Sequence, residues 1–271
     1  MVDTTYGTII GRGAICLHVS KILVENRNKD TFYAACKTVQ TSPLDTRING
    51  DEEWAIHSTL KHENIVSFFD YELRVNDDKT YTVGMYMELC DTSLYDMVVV
   101  EKPHIRDTFR YYVELLRALV YLHDKNIAHM DVSLQNVFLH NGIVKLGDFG
   151  SSIRLDNGVC IQSSKTFNKT FSPPELLIDV YPIMGAKVDI WSSCIVFIIL
   201  ITGYLPWRHA GPDVNSYMTW VETGKLRILP EKMVIVYNVI NHALKVDPVK
   251  RPSAVAMSDY MENRKYMECV K

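Results

Sequence analysis

The sequence of 271 residues has no closely spaced pair of cysteines, although it contains six cysteines in all. Structural zinc sites and disulfide frameworks use cysteines at short, regular spacings such as C-x-x-C. The six thiols stand far apart along the chain, at Cys16, Cys36, Cys90, Cys160, Cys194 and Cys269. The sequence therefore predicts neither kind of site, and it favours small buried thiols in a reducing compartment.

A strong charge of one sign and a long hydrophobic run are also absent. The formal net charge is −3, which argues against a nucleic-acid partner or an anionic membrane surface. The most apolar run, from Cys194 to Ile201, is far shorter than the roughly 20 residues that span a bilayer, so it predicts a buried core helix. The N-terminal residues show no charged segment followed by an apolar one, so no signal peptide is expected. We expect an intracellular protein of the cytoplasm or the nucleus, with no membrane partner.

The periodicity of the sequence changes near residue 90. Alternating, β-branched and aromatic segments before that point predict strands at Thr4–Ile10, Leu17–Val24, Thr31–Val39, Phe68–Leu73 and Tyr81–Leu89. Asp51–Leu60 is a better helix candidate, and apolar residues recur at helical spacing from Ile105 onward. A small strand-rich part followed by a larger helical part predicts an α+β fold, with Cys90–Thr92 as the connection between them.

The stretch from His129 to Gly150 carries the most informative pattern in the chain. Asp131 and Asn136 lie five residues apart, before two short apolar runs that surround Asn141-Gly142. Asn-Gly between such runs is a strong signal of a β-hairpin, and Asp148 follows that hairpin directly. Folding of the hairpin would bring two acids and an amide to one edge. Such an oxygen-rich set suits Mg²⁺ and phosphate chemistry.

These residues resemble the catalytic core of protein kinases. His129–Asn136 resembles the catalytic loop H-R-D-x-x-x-x-N, and Asp148-Phe149-Gly150 matches D-F-G. The resemblance covers roughly residues 6 to 255 and includes the segments IGRGA, AACK, LKHENIV, PPE, DIWS and DPVKR. It points to the serine/threonine type, with a finer similarity to checkpoint kinases of the calcium/calmodulin-dependent-kinase-like group.

The resemblance implies one bilobal protein kinase domain over residues 1–271. A small β-rich lobe would cover residues 1–89, and the hinge and a larger helical lobe would cover residues 90–271. ATP would lie between the lobes, and the implied function is ATP-dependent phosphorylation of protein serine and threonine hydroxyls. A protein substrate, ATP and Mg²⁺ are the expected partners and cofactors, and a regulatory partner stays open.

The resemblance also implies a role for individual residues. Asp131 would orient the substrate hydroxyl and accept its proton, while Lys37, held by Glu53, would bind the α- and β-phosphates. Glu52 is the near rival of Glu53, and Asn136 with Asp148 would hold Mg²⁺. The residues expected to contact the nucleotide are Gly11, Arg12, Gly13, Ala35, Lys37, Met87, Glu88, Cys90, Phe138 and Asp148.

Several positions depart from the family's pattern. Met130 replaces an arginine that receives an activation-loop phosphate, so activity is expected not to depend on phosphorylation of that loop. Ser133 replaces a lysine that contacts the transferring phosphoryl group, and Asn168 stands where a threonine is usual. Cys16 takes the place of the third glycine. His57 takes a position that is usually apolar, and a packed core histidine is expected there.

Two alternatives follow from these departures and from the catalytic loop. A nucleotide-binding pseudokinase that acts as a scaffold or allosteric partner would keep the fold without turnover. A small-molecule phosphotransferase would share the acid-and-amide loop, but the segments PPE, DIWS and DPVKR favour a protein substrate. A P-loop NTPase is excluded because no G-x-x-x-x-G-K-[ST] motif occurs.

Overall fold

The computed structural model of the protein describes residues 8–11, 18–25, 31–41, 53–100, 102–156, 158–159, 168–178 and 182–263. Its first part is one antiparallel sheet with the strand order β1-β2-β3-β5-β4. These strands are β1 (Thr8–Gly11), β2 (His18–Glu25), β3 (Thr31–Thr41), β4 (Phe68–Val75) and β5 (Tyr81–Glu88). One short helix, α1 (Glu53–His57), precedes β4. The strand prediction is confirmed where residues are described, although the helix of this region ends three residues before Leu60.

The second part is mainly helical. Its helices are α2 (Leu94–Val100), α3 (Ile105–Asp124), α4 (Pro174–Leu177), α5 (Gly185–Thr202), α6 (Asn215–Thr223), α7 (Val234–Ala243) and α8 (Ala254–Asn263). Its short strands are β6 (Thr92–Ser93), β7 (Ile127–Ala128), β8 (Val137–His140), β9 (Ile143–Leu146) and β10 (Ile153–Arg154). The predicted α+β class, with a β-rich part followed by a larger helical part, is confirmed.

The predicted hairpin forms around Asn141 and Gly142. β8 and β9 pair with His140 opposite Ile143, which leaves a two-residue loop. Asn141 has φ 51° and Gly142 has φ 75°, and such a turn needs positive φ at both central residues. The hairpin brings Asn136, just before β8, close to Gly147, just after β9, through a backbone hydrogen bond of 2.9 Å.

Helix α5 forms the centre of the large core. It contains the apolar run that begins at Cys194, and it packs against α3 and α7. Among the described helices, only α5 is long and apolar enough to cross a membrane, and 83% of its residues are buried inside the protein. The prediction of a buried core helix is therefore confirmed. The helix ends at Gly203, whose φ of 78° is readily adopted by glycine.

Candidate active site

Lys37 lies at the centre of a polar network beneath the small sheet. Its position in β3 is paired with Val19 of β2 on one side and Met85 of β5 on the other. The Lys37 ammonium donates to both Glu53 oxygens, at 2.8 and 2.7 Å, and to Asp148 Oδ1 at 2.8 Å. Glu53 stands in the first turn of α1, so the structure pairs Lys37 with Glu53, while its rival Glu52 lies outside the described residues.

The electrostatics of this network keep Lys37 and Asp148 charged. Burial acts to lower the pKa of Lys37, but the Glu53 and Asp148 carboxylates raise it above its usual value. Burial acts in the opposite direction on Asp148, whose pKa is nevertheless lowered by the charge and hydrogen bond of Lys37. Two carboxylates therefore face one ammonium, and the excess negative charge suits a divalent cation.

The loop between β7 and β8, which resembles the kinase catalytic loop, is bound to α5 by hydrogen bonds. Asp189, a fully buried carboxylate of α5, accepts the backbone N–H of His129 at 2.9 Å and that of Met130 at 2.8 Å. His123 of α3 lies 2.8 Å from the same carboxylate. Met130 adopts φ 65°, a left-handed conformation that this clamp holds in place. The sequence did not predict this role for Asp189, although the residue begins the DIWS segment that is part of the kinase resemblance.

Asp131 and Asn136 meet within this loop. The Asn136 amide nitrogen donates to the Asp131 backbone oxygen and to Asp131 Oδ2, both at 2.9 Å. Asp131 Oδ1 is buried and has no hydrogen-bond partner among the described residues. Burial raises the pKa of Asp131 above its usual value, while His129 acts against that shift. An unpartnered carboxylate oxygen in a half-buried setting fits a base that awaits a hydroxyl proton.

The donor set fits magnesium bound together with a nucleotide. Asp148 supplies a carboxylate and Asn136 an amide oxygen, which are ligand types that Mg²⁺ prefers. Among the described residues, no group of three or more His, Cys, Asp or Glu side chains is placed to hold a metal ion. Mg²⁺ commonly uses one or two protein ligands and completes its shell with phosphate oxygens and water.

Phe149, the middle residue of D-F-G, packs against the rings of two histidines, edge-on against one and tilted against the other. Its centroid lies 5.1 Å from that of His129 and 4.5 Å from that of His57. His57 in turn lies 5.2 Å from Phe68, and its Nε2 is 2.7 Å from the Val66 carbonyl. The expectation of a packed histidine is met, since His57 is fully buried. Sequence reasoning missed that this ring contacts both Phe149 and Phe68.

The residues predicted at the adenine end lie on adjoining elements. Ala35 of β3 is paired with Met87 of β5, Glu88 ends β5, and Cys90 follows two residues later. Phe138 lies on β8, next to Gly147, where an added Cβ would come within 3.1 Å of the Phe138 ring. Gly11 ends β1, while Arg12 and Gly13 lie outside the described residues.

The positions that depart from the family's pattern are not charged. Met130 is 4% exposed and lies in an apolar cluster with Ala128, Ile153, Leu176, Ile183 and Val188. Ser133 is 1% exposed. Asn168 accepts the Thr170 N–H at 3.3 Å, and Lys169 beside it is exposed. Cys16 lies outside the described residues.

A buried ion pair holds the segment that begins at Pro173. The Arg251 guanidinium donates to both Glu175 oxygens, at 2.6 and 2.8 Å, and its carbon lies 4.9 Å from the Trp191 ring centroid. The ion pair thus joins the PPE segment to the DPVKR segment. A bidentate contact of this kind fixes the segment that begins at Pro173 against α5, where Arg251 also donates to the Lys187 carbonyl at 3.2 Å.

Comparisons with known proteins agree with this geometry. The family described as protein kinase domain matches residues 5–262. A Wee1-like protein kinase of Oryza sativa subsp. japonica is 30% identical over 90% of this chain and 44% of that protein. The probable serine/threonine-protein kinase PLK of Dictyostelium discoideum is 29% identical over 94% of this chain and 25% of that protein. An Aurora kinase of Yarrowia lipolytica is 27% identical over 92% of this chain and 65% of that protein. This chain thus spans less than two thirds of the length of each of these relatives.

Proposed function

The chain belongs to the protein kinase family, with relatives of the serine/threonine type, and we propose that it transfers the γ-phosphate of Mg·ATP to serine and threonine hydroxyls of proteins. One observation carries this proposal. Lys37 is bonded to both Glu53 and Asp148, while Asp131 keeps one buried oxygen without a partner among the described residues. The first arrangement suits phosphate and metal, and the second suits an acceptor hydroxyl.

The residues divide the work of the reaction between them. Lys37 would bind the α- and β-phosphates, and Glu53 keeps its ammonium in place. Asp148 and Asn136 would hold Mg²⁺, which when bound supplies positive charge to the phosphate oxygens. Asp131 would orient the acceptor hydroxyl and take its proton, and Asn136 fixes the direction of the Asp131 carboxylate. Gly11 and Gly13 would cover the phosphates.

The adenine would lie at the hinge between the two lobes. We place that hinge at Glu88–Cys90, with Met87 at the gatekeeper position behind the adenine and with Ala35 and Phe138 also in contact with the nucleotide. The small lobe would then cover residues 1–89. We expect the protein to act inside the cell, in the cytoplasm or nucleus, on protein substrates.

A pseudokinase is the second candidate, and Ser133 favours it. The buried Ser133 side chain carries no charge where the family pattern has a cation for the transferring group. Loss of one preorganised donor typically costs about 10²–10³ in kcat. The polar residues proposed for catalysis and for binding of phosphate and metal are all present, which favours an active but slow enzyme. They are Lys37, Glu53, Asp131, Asn136 and Asp148.

The test is transfer of labelled γ-phosphate from ATP to a pool of protein substrates, with and without Mg²⁺. The proposal expects label on serine or threonine in the parent protein. Asp131→Asn should lower transfer by up to about 10⁴, because the acceptor proton loses its base. Asp259→Asn, at an exposed carboxylate of α8, is the matched control and should behave as the parent. A parent that binds ATP but transfers nothing would establish the pseudokinase instead.

A further inference from the structure

A buried ion pair lies behind the hinge and joins the two parts of the molecule. Lys145 Nζ lies 3.2 Å from Glu88 Oε2, and the two side chains are only 11% and 16% exposed. Glu88 is the last residue of β5 in the small sheet, and Lys145 lies on β9 in the helical part. The kinase resemblance gave Glu88 a place beside the nucleotide but gave Lys145 no role.

The Glu88 carboxylate is held from several directions. Its Oε2 atom also accepts the Ser67 backbone N–H at 3.1 Å and the Ser67 hydroxyl at 3.3 Å. The Glu88 backbone N–H donates to the Ser67 carbonyl at 2.9 Å, and His140 Nε2 lies 3.7 Å from Oε1. Glu88 is therefore clamped through both backbone and side chain, and Lys145 supplies the nearest full positive charge.

Lys145 stands next to the predicted adenine site. Lys145 and Phe138 are directly paired across β8 and β9, and such partners point to the same face of a hairpin. The electrostatic effect of Lys145 also reaches Cys90, two residues beyond Glu88. Burial and the Glu88 charge raise the pKa of the Cys90 thiol to about 12, and Lys145 acts against them.

The Lys37–Asp148 and Lys145–Glu88 ion pairs both join the two parts of the molecule, but nucleotide binding would affect them differently. Lys37 and Asp148 are the groups proposed to take phosphate and metal, so nucleotide binding competes for their mutual contact at 2.8 Å. The Lys145–Glu88 pair uses side-chain atoms that have no proposed contact with ATP. It can therefore stay intact with and without nucleotide.

We propose that Lys145 is a positioning residue for nucleotide binding: its ammonium fixes Glu88, and through Glu88 the hinge backbone that receives the adenine. This inference rests on the proposed use of ATP. Since Lys145 touches neither the phosphates nor the acceptor in this arrangement, its effect belongs to ATP affinity and not to the chemical step.

The test compares Lys145→Met, which keeps the length of the side chain and removes its charge, with Lys145→Arg, which keeps a cation. The Kd for ATP is measured by calorimetry, and KM for ATP and kcat are measured in the transfer assay. Hydrogen bonds to charged groups contribute enough for a rise of about tenfold in Kd and KM for Lys145→Met, with kcat within about twofold. Lys145→Arg should restore most of the affinity, and Lys232→Met, at an exposed lysine, is the matched control.

Unchanged ATP affinity in folded Lys145→Met, or a fall in kcat at constant KM, would overturn the inference. If Lys145→Met does not fold, Glu88→Gln tests the same pair, because the amide can still accept from Ser67 but loses its attraction for Lys145. Glu88→Gln should raise Kd similarly. Where Lys145→Met does fold, the double variant should raise Kd little beyond either single variant. A parent that fails to bind ATP overturns the proposed function as well, whereas a parent that binds ATP no better than Lys145→Met overturns this inference alone.

Discussion

The candidate site has two sides: a nucleotide side, with the residues proposed to bind ATP and Mg²⁺, and an acceptor side, around the residues that follow His129. The two sides differ in how much of the protein kinase pattern they keep. On the nucleotide side, Lys37, Glu53 and Asp148 form one connected set of charged contacts. On the acceptor side, Met130 is buried in an apolar cluster and Ser133 is buried without charge. One side retains the groups that we propose to bind phosphate, and the other lacks two cations of the family's pattern. Nucleotide binding and the rate and regulation of transfer can therefore vary separately on one fold.

After that of Asp131→Asn, the largest expected effect is on the nucleotide side. Lys37→Met removes the cation that Glu53 and Asp148 share, so kcat/KM for ATP should fall by about 10²–10³. Steady-state transfer at varied ATP concentration measures this, with Lys232→Met as the control for loss of an exposed lysine. A change of less than about threefold would show that the two sides do not differ as the contacts suggest.

The next effect concerns His57, whose ring packs against Phe149 beside Asp148. Burial lowers the pKa of His57 to about 4 from an ordinary value of 6.5. The native state favours the neutral ring, so its contribution to stability is complete above pH 6.5 and is lost as the pH falls toward 4. The free energy of unfolding of the parent should drop by about 3 kcal/mol relative to His57→Leu between those limits. Urea titrations at several pH values measure it, and parallel pH profiles for the two proteins would contradict the assignment.

A smaller gain is expected on the acceptor side. Ser133→Lys restores a cation near the transferring group and should raise kcat by about tenfold, a part of the usual value of such a donor. Ser133→Met is the control that separates the effect of charge from the effect of side-chain volume, because it adds a long uncharged side chain at the same buried position. Equal kcat for the two variants would mean that the missing cation does not limit this protein.

The smallest effect is expected from removal of phosphate. Met130 lies among apolar side chains and offers no charge to a phosphorylated activation loop. Treatment with a protein phosphatase should therefore leave kcat/KM within about twofold of that of mock-treated protein. Loss of activity after treatment would place a phosphate receptor elsewhere on the acceptor side.

Local chemistry made much of the fold predictable. Regular alternation and β-branched residues predicted the strands from Thr31 and from Tyr81, and Asn141-Gly142 predicted the hairpin turn. The two-residue strands of the β7–β10 pair were missed, because a segment of two residues carries no periodicity. The left-handed backbone of Met130 was also missed, since the distant Asp189 carboxylate fixes it.

The candidate site was predictable in its residues and less so in its contacts. The spacing of Asp131, Asn136 and Asp148 around a hairpin implied that they converge. The contact between Lys37 and Asp148 joins residues 111 positions apart, and the Lys145–Glu88 pair joins two parts of the molecule. Contacts of that kind depend on how the sheet and the helices pack, which no local pattern encodes.

The clamp at Asp189 has a consequence for the exchange of amide hydrogens with solvent. The amides of His129 and Met130 are bonded to a carboxylate with no exposed surface, at the base of the most buried helix. Such hydrogens exchange only when the surrounding structure opens. These two amides lie in a loop without regular secondary structure, but they should exchange as slowly as the amides of α5. The loop would then open only when the core of the protein opens.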